Sequence, residues 1–344
     1  MSKVYVGGYG AGNLGDDLIL LGILSQDKDA AVVSYGPPLV GKSQAYIAFP
    51  EFLENAHKLI PQYTTLIFGG GGLFWSHDHI YEMLALALMA KSFGLRVEMR
   101  RVGLHGFHLN MAASRHLVRI VDVLTVREHD SLDMARRILN CEHAYVERDF
   151  VEELVLTSTA GKKNKPTVGI NVASTRFIHD QGFNSHVSTI YAEISSIFDG
   201  VLDFKYIPFC VHMSDENQND LGRGDALFAA SSGRIRYSDE VIGVQSLLSA
   251  CDSSDILLGE RFHMHVLAKK FGRVALPLIH NEQTKYRAIA SEYCSAPVFY
   301  ESSQMMIIDQ IRRRIECFLG SLEGEIAELP TRQATKARAT DALS

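Results

Sequence analysis

Residues 3–17 read KVYVGGYGAGNLGDD, a short apolar run followed by a glycine-rich loop. The run Val4–Val6 has the length and composition of a buried strand. A helix is expected to begin near Asp17, because acidic side chains stabilise helix N-termini. The stretch therefore predicts a βα unit, the element from which parallel α/β sheets are built.

The same alternation of strand-length and helix-length segments predicts a first α/β domain over residues 1–157. Its predicted strands are Lys3–Gly7, Ala31–Tyr35, Thr64–Phe68, Val97–Val102, Val123–Val126 and Ala144–Val146. Its clearest predicted helices are Ile80–Phe93 and Ser131–Leu139.

Residues 158–166, STAGKKNKP, have the composition of a linker, and a second α/β domain is predicted over residues 167–320. Its predicted strands are Thr167–Val172, Phe204–Pro208, Arg234–Tyr237, Ile256–Leu258 and Val274–Pro277. Its predicted helices include Ser188–Phe198, Val241–Ala250 and a closing helix at Ser303–Leu319. Residues 321–344 are polar and aperiodic, which predicts a disordered tail. Open α/β sheets bind ligands beyond the carboxyl ends of their strands, so functional residues are expected there.

The composition limits the class of protein. The chain has 344 residues and a formal net charge of −6, so nucleic acid is not expected as a partner. Its five cysteines are dispersed, which favours a reducing cytoplasm over a disulfide framework or a thiolate zinc site. No basic-then-apolar leader or membrane-length apolar stretch is present, so a cytoplasmic location is expected.

The loop Gly7–Asp17 is expected to direct backbone N–H groups and a helix N-terminus into the crevice, where they suit an anion or a sugar hydroxyl. The Lys-Ser or Lys-Thr of a P-loop does not follow the glycines. The acidic residue that a nicotinamide site requires does not end the second strand. The alternative interpretation is a turn in which Asp16 or Asp17 caps the helix.

A second glycine run, residues 69–72, follows the third predicted strand and includes Gly70 and Gly71. Each glycine costs on the order of 1 kcal/mol relative to alanine in regular structure. Close approach of the backbone to a ligand, or to the first glycine loop, would offset that cost. The alternative is a turn at the end of the strand.

The segment Gly259–His263, GERFH, lies between a predicted buried strand and a predicted helix. Arg261 offers a planar fork to a carboxylate or phosphate, and His263 can donate or accept a proton near neutral pH. Glu260 adds a carboxylate at the same strand end. The alternative is a surface Arg–Glu pair with a histidine capping the helix.

Other polar residues give weaker signals. Arg127 follows a predicted strand, where it faces the crevice, fixes the domain interface or is structural only. His212 lies on the loop after another strand and is a possible crevice residue. The His-x-His pairs at residues 77–79 and 263–265 lack a partnering carboxylate motif, so no metal is expected.

Four segments, in their order and rough spacing, resemble the polysaccharide pyruvyl transferase family. They are Gly10–Asp16, the glycine run with Leu73 and Phe74, Val126-Arg127 with Ser131, and Gly259–His263. The resemblance covers about Lys3 to Arg287. It implies an α/β fold of two Rossmann-like doubly wound domains facing across a cleft in the GT-B arrangement. It also implies that phosphoenolpyruvate binds in that cleft and donates its pyruvyl group, as a ketal, to two hydroxyls of a sugar in a surface or exported polysaccharide.

The resemblance gives the motif residues their expected roles. His263 would be the acid that protonates the phosphoenolpyruvate methylene, Arg261 the anion clamp, and Glu260 a residue that orients one of the two. Asn13 and Asp16 would face the acceptor hydroxyls, with Asp16 as a candidate base. No cofactor is expected beyond phosphoenolpyruvate as co-substrate.

Two departures from the family pattern concern substrate contacts. Family members often carry an arginine at the end of the first strand of the second domain, where this chain has Asn171-Val172-Ala173 and Arg176 follows three residues later. Arg176 is therefore a candidate substitute for that clamp. His105 stands where the family usually has a small or apolar residue, and it is a candidate substrate contact.

Two other functions remain open from the sequence. A GT-B glycosyltransferase would use a nucleotide sugar, although no acidic ribose ligand is evident in the second domain. A non-catalytic relative would bind a glycan without turnover. For the pyruvyl transferase, the expected partners are a sugar or lipid-linked oligosaccharide acceptor and a peripheral contact with the inner face of the membrane.

Overall fold

A computed structural model describes residues 2–40, 45–161, 163–173, 181–212, 219–237, 241–279, 298–299 and 303–340. Its first sheet has seven parallel strands in the order β3-β2-β1-β4-β5-β6-β7. Those strands are β1 Lys3–Val6, β2 Ala31–Ser34, β3 Ile47–Ala48, β4 Thr65–Gly71, β5 Arg96–Val102, β6 Val123–Val126 and β7 Tyr145–Val146. The first-domain strands predicted from the sequence are confirmed, and the two-residue β3 was missed because its apolar run is so short.

The second sheet has six parallel strands in the order β10-β9-β8-β11-β12-β13. They are β8 Thr167–Ile170, β9 Asp203–Tyr206, β10 Ile235–Tyr237, β11 Ile256–Gly259, β12 Val274–Ile279 and β13 Val298–Phe299. Counted within its own half of the chain, the second sheet has the doubly wound order 3-2-1-4-5-6 of the Rossmann fold, and the first sheet has the same order with a seventh strand added after the sixth. The predicted fold class is therefore confirmed.

Helices connect the strands. In chain order they are α1 Leu14–Gln26, α2 Phe49–Glu54, α3 Ala56–Leu59, α4 His77–Ser92, α5 Met111–Ile120, α6 His129–Arg137, α7 Gln181–Ile197, α8 Leu221–Ala230, α9 Val244–Asp252, α10 Phe262–Phe271 and α11 Gln304–Thr340. The last helix extends beyond residue 320, where the sequence predicted a disordered tail, because Glu, Ala, Leu, Lys and Arg in that stretch favour helix. Among the described helices, none combines the length and apolar character needed to cross a membrane.

Alternating side chains of β1 pack on opposite faces of the first sheet. Val4 and Val6 belong to an apolar core with α4 and α5, whereas Tyr5 belongs to a core that also contains residues of the second domain. This shared core includes side chains of α1, α9, α10 and the 3-10 segment Phe150–Glu153. An apolar interface of this kind holds two domains in a fixed relation.

The beginning of the predicted linker is fastened to the second domain. Asp252, at the end of α9, accepts hydrogen bonds from Ser158 Oγ at 2.6 Å and from the Thr159 and Ala160 backbone N–H groups at 2.7 and 3.0 Å. The domain boundaries drawn from the sequence remain a prediction.

Candidate active site

In both sheets the strand order reverses at the strand pair that carries the glycine-rich and charged motifs. In the first sheet this point lies between β1 and β4, which lead into Gly7–Asp17 and the second glycine run. In the second sheet it lies between β8 and β11, and β11 leads into Glu260–His263. Ligands of doubly wound folds bind at such switch points.

The two switch points meet at the start of α1. Leu14 N donates a hydrogen bond to Phe209 O at 2.9 Å, and Val211 N donates to Gly12 O at 2.8 Å. A side chain at Gly12 would meet the His212 backbone. The segment that carries His212 therefore lies directly against the first glycine loop.

Asn13 and Asp16 organise the N-terminus of α1. The Asn13 side chain caps the helix by accepting the Gly15 N–H at 3.1 Å, and its Nδ2 donates to Asp16 Oδ2 at 2.8 Å. Asp16 is half-buried in the first turn of α1, and the hydrogen bond from Asn13 orients its carboxylate. The two residues expected on the acceptor side are thus brought together.

Asp17 fixes the shape of the same loop. Its carboxylate is fully buried and accepts the backbone N–H groups of Gly10 at 2.8 Å and Leu39 at 3.0 Å. Burial raises the pKa of Asp17 to about 6, although these two hydrogen bonds act to lower it.

The second glycine run continues β4 instead of forming a turn after Phe68, since Gly69 and Gly71 still pair with β5. Gly70 and Gly71 have φ values of +69° and +73°, a conformation that favours glycine. A side chain at Gly70 would collide with Ile19 of α1, and one at Gly71 would lie 2.8 Å from an oxygen of Asp16. The sequence predicted a close approach of this run to a ligand or to the first glycine loop, and the observed approach is to Asp16 and Ile19 in the first two turns of α1.

His263 lies in the first turn of α10 and faces α1 across the domain interface. It is buried, and a side chain at Gly15 would collide with its Nδ1 atom. Its other ring nitrogen, Nε2, lies 3.5 Å from Asp149 Oδ2 in the first domain. The ring is therefore held between a carboxylate and the N-terminus of α1.

Asp149 was not identified from the sequence. It is fully buried, lies 3.3 Å from Arg127 Nη1 and accepts the Val151 N–H at 3.0 Å. Burial acts to raise its pKa, but the hydrogen bond to His263, the charges of His263 and Arg127 and the Val151 N–H lower it to about 2. Its position just after β7, at the carboxyl edge of the sheet, is the signal that was available in the sequence.

Arg127 lies in the domain interface, which was one of the positions expected for it. Its side chain is buried, with Nε 3.1 Å from Glu128 Oε2 and Cζ 4.1 Å from the centre of the Phe262 ring. Glu128 also binds Ser131 Oγ and lies 3.2 Å from His105 Nε2. Burial opposes ionisation of Glu128, yet His105 and Arg127 lower its pKa below the usual range.

Arg261 forms a bidentate ion pair with Asp220, a second carboxylate that was not identified from the sequence. Nη2 lies 2.5 Å from Asp220 Oδ1, and Nε lies 3.2 Å from Oδ2. Asp220 is fully buried and also accepts the backbone N–H groups of Phe209 and Cys210. Burial acts to lower the pKa of Arg261, but the Asp220 charge raises it above its ordinary value.

Glu260 is buried and accepts the Ala173 N–H at 2.8 Å, so it joins the ends of β11 and β8. Arg176, the candidate second clamp, lies outside the described residues. Among the residues that are described, no group of three or more His, Cys, Asp or Glu side chains is arranged to hold a metal ion.

Comparison with known protein families identifies a family whose model matches most of this chain. The family model for polysaccharide pyruvyl transferase matches residues 13–282, a range that begins at Asn13 within the first glycine loop and includes the second glycine run and the Glu260–His263 motif. No match was found among the curated proteins.

Solved structures of similar fold include two epimerases and a heptosyltransferase. A UDP-GlcNAc 2-epimerase from Neisseria meningitidis is 13% identical with a TM-score of 0.57, covering 92% of each chain. The corresponding enzyme from Methanocaldococcus jannaschii is 12% identical with a TM-score of 0.58, covering 91% of this chain and 92% of its own. ADP-heptose LPS heptosyltransferase II from E. coli is 11% identical with a TM-score of 0.51, covering 91% of this chain and 98% of its own. At these identities the likeness establishes the GT-B-type fold alone.

Proposed function

The chain belongs to the polysaccharide pyruvyl transferase family, and on that basis we propose that it transfers a pyruvyl group from phosphoenolpyruvate to two hydroxyls of a sugar. The sugar is part of a cell-surface or extracellular polysaccharide precursor. The observation that carries the proposal is the position of His263, between the Asp149 carboxylate and the Asn13–Asp16 segment of the opposite domain.

The donor is placed at the start of α10. Phosphoenolpyruvate carries a carboxylate and a phosphate, and the free N–H groups of a helix N-terminus favour such anions. Asp220 engages Nε and Nη2 of Arg261, which leaves Nη1 as the nitrogen that would bind the donor. Asp220 thereby fixes the guanidinium plane and its direction.

The reaction begins with proton transfer from His263 to C3 of phosphoenolpyruvate, which converts the methylene to a methyl group and makes C2 electrophilic. One acceptor hydroxyl attacks C2, and the C2–O bond to phosphate breaks. The second hydroxyl then adds to C2 and closes the ketal. Of the two hydroxyl protons released, one restores His263 and the other leaves with phosphate, so the step needs no further cofactor.

The acceptor is placed on the α1 side of the cleft. Asn13 holds the Asp16 side chain next to Gly71. In that position the Asp16 carboxylate would bind or deprotonate an acceptor hydroxyl. His212 lies against the same loop and is a further candidate contact. A lipid-linked oligosaccharide at the inner face of the membrane is the form of acceptor that we propose.

Transfer of the pyruvyl group can be tested with a carbon label in phosphoenolpyruvate. The full chain is incubated with carboxyl-¹⁴C phosphoenolpyruvate and a panel of methyl glycosides of galactose, glucose and N-acetylmannosamine, and labelled sugar and released phosphate are measured. We expect at least one glycoside to become labelled, with one phosphate released for each pyruvyl group transferred. In His263→Gln the rate of label transfer should fall about 100-fold or more.

Three results would contradict the proposal. Transfer of a sugar from UDP-glucose to the same panel would identify a glycosyltransferase instead. Binding of the glycosides with no label transferred would identify a non-catalytic relative. Full turnover by His263→Gln would remove His263 as the acid.

A further inference from the structure

We infer that the exposed ring of Trp75 is a stacking subsite for a second sugar unit of the acceptor, next to the unit that receives the pyruvyl group. The inference deepens the proposed function and rests on its placement of the acceptor beside Asp16. It makes the preferred acceptor an oligosaccharide of at least two sugar units.

Trp75 belongs to a cluster of aromatic rings at the carboxyl edge of the first sheet. Its ring centre lies 4.7 Å from that of His79 with an interplanar angle of 28°, so the two rings stack. Tyr35, directly after β2, stacks on Phe49 at 4.8 Å, and its hydroxyl lies 3.0 Å from His79 Nδ1. Because His79 and Phe49 are buried, the cluster gives the indole a rigid support.

The supporting rings lie on one side of the Trp75 indole. The ring centre of Tyr35 is 6.1 Å from that of Trp75 and also 6.1 Å from that of His79. A ring on the far side of the indole would be much farther from His79 than from Trp75, so Tyr35 and His79 share a side. Since 48% of Trp75 is exposed, the opposite face is available to a ligand.

The aromatic cluster adjoins the first glycine loop, where the acceptor is placed. The backbone N–H of Tyr35 donates a hydrogen bond to Tyr9 O at 2.9 Å. A side chain at Gly10 would collide with the Gly36 backbone, so the segment after β2 packs directly on the loop. The aromatic surface and the acceptor loop are therefore neighbouring parts of one edge of the first domain.

A short stretch of open surface leads from Asp16 to Trp75. A side chain at Gly71 would lie 2.8 Å from an oxygen of Asp16, and Trp75 follows Gly71 by four residues. Four residues span at most about 14 Å, which is within the length of a short oligosaccharide. Gly72 is exposed, and a side chain there would meet no described atom within 4 Å. A sugar that binds at Asp16 can therefore extend its neighbouring unit over the indole.

A sugar fits this surface better than a lipid bilayer does. The carbon-bound hydrogens of a pyranose form a flat apolar face that packs on an indole, while its hydroxyls stay available to polar groups. Polar groups follow Trp75 closely in the chain, since His77 is exposed and the Asp78 side chain is 94% exposed. The Asp78 carboxylate would be repelled by an anionic membrane surface. The combination of an exposed, supported ring with nearby polar groups therefore indicates a glycan.

The chain contains a single tryptophan, so its tryptophan fluorescence reports on Trp75 alone. The full chain is titrated with cellobiose, lactose, melibiose and N,N′-diacetylchitobiose, and with the methyl glycosides named above. We expect at least one disaccharide to shift the emission to shorter wavelength and to protect it from acrylamide quenching, because the bound sugar covers the indole. The methyl glycosides should require concentrations about 10-fold higher for the same effect. Equal potency would contradict the assignment of a second sugar unit.

Variants of Trp75 separate stacking from apolar bulk. In calorimetric titrations, Trp75→Ala should bind the active disaccharide about 10-fold more weakly, whereas Trp75→Phe keeps a flat ring and should lose only a few-fold. Trp75→Leu is apolar but not flat and should resemble Trp75→Ala. If Trp75→Ala does not fold, the comparison of the Phe and Leu variants decides the matter.

The matched control is Phe93→Ala, which removes a ring of nearly equal exposure, 47% against 48%, at the opposite end of α4. It should bind the disaccharide as the wild-type chain does. Equal binding by Trp75→Ala and the wild-type chain would overturn the inference, and so would emission that responds to none of the disaccharides. A response to phosphatidylglycerol vesicles without a response to sugars would assign the ring to a membrane contact instead.

The labelling assay distinguishes failure of the subsite from failure of the proposed reaction. With the active disaccharide as acceptor, the acceptor KM of Trp75→Ala should rise about 10-fold while kcat stays within about 2-fold of the wild-type value. Transfer of label with an unchanged acceptor KM would overturn the subsite and leave the reaction. Disaccharide binding that depends on Trp75, with no label transferred by any chain, would keep the subsite and remove the proposed reaction.

Discussion

Arg261 pairs with a buried carboxylate, and in the proposed function its remaining guanidinium nitrogen binds the donor. Removing it should therefore have two separable effects. In Arg261→Ala, Asp220 remains as a buried charge without its arginine partner, which costs about 3–5 kcal/mol in the free energy of unfolding. The same variant should lose most of the rise in melting temperature that phosphoenolpyruvate gives the wild-type chain.

The double variant Arg261→Met with Asp220→Asn separates stability from binding. The Asp220→Asn change removes the buried charge, and the oxygen of the new amide can still accept the Phe209 and Cys210 N–H groups, so urea unfolding should show most of the stability restored. The response to phosphoenolpyruvate should stay absent. A double variant that regained this response would show that Arg261 does not bind the donor.

A second prediction at this scale concerns Asp17 and pH. Its folded pKa of about 6 lies above the ordinary value of 3.8, so its contribution to stability is full below about pH 4 and is lost as pH rises through 6. Between pH 4 and pH 7 the wild-type chain should lose about 2–4 kcal/mol relative to Asp17→Asn, which cannot ionise. Urea unfolding of both chains at the two pH values measures this difference, and parallel pH dependences would contradict it.

At the scale of elements, the start of α1 and the start of α10 touch through Gly15 and His263. An alanine side chain at position 15 has no room beside Nδ1, so Gly15→Ala should displace the imidazole and reduce turnover about 100-fold. Gly222→Ala is the matched control, since Gly222 also lies in the first turn of a helix, α8, and a side chain there meets open space. The control should keep wild-type turnover, and an equally active Gly15→Ala chain would show that the contact is not needed.

Most strands and several helices could be predicted to within a few residues, because strand and helix periodicity are local properties of the sequence. The end of β4 could not, since pairing of Gly69 and Gly71 with β5 outweighs the turn preference of a glycine run. The Arg-x-His motif was also found locally. Its partners Asp149 and Asp220 were missed because they lie far from His263 and Arg261 along the chain, and no local pattern indicates a contact between such distant segments.

At the scale of the whole molecule, the two domains share one apolar core that brings a switch point of each sheet to the same place. The loop Gly7–Asp17 then faces the histidine and arginine of the other sheet across a packed interface. This arrangement accounts for the distribution of the site over both halves of the chain. It also explains why Arg127 lies in the interface beside Asp149, which was one of the positions expected for it.

The central claim is that the chain binds phosphoenolpyruvate as its donor, and a measurement of the melting temperature tests it directly. A ligand that binds the folded chain at about 100 times its dissociation constant adds about 2.7 kcal/mol of stability. We predict that phosphoenolpyruvate raises the melting temperature of the full chain by several degrees and that UDP-N-acetylglucosamine at the same concentration does not. Stabilisation by UDP-N-acetylglucosamine with no effect of phosphoenolpyruvate would contradict the account.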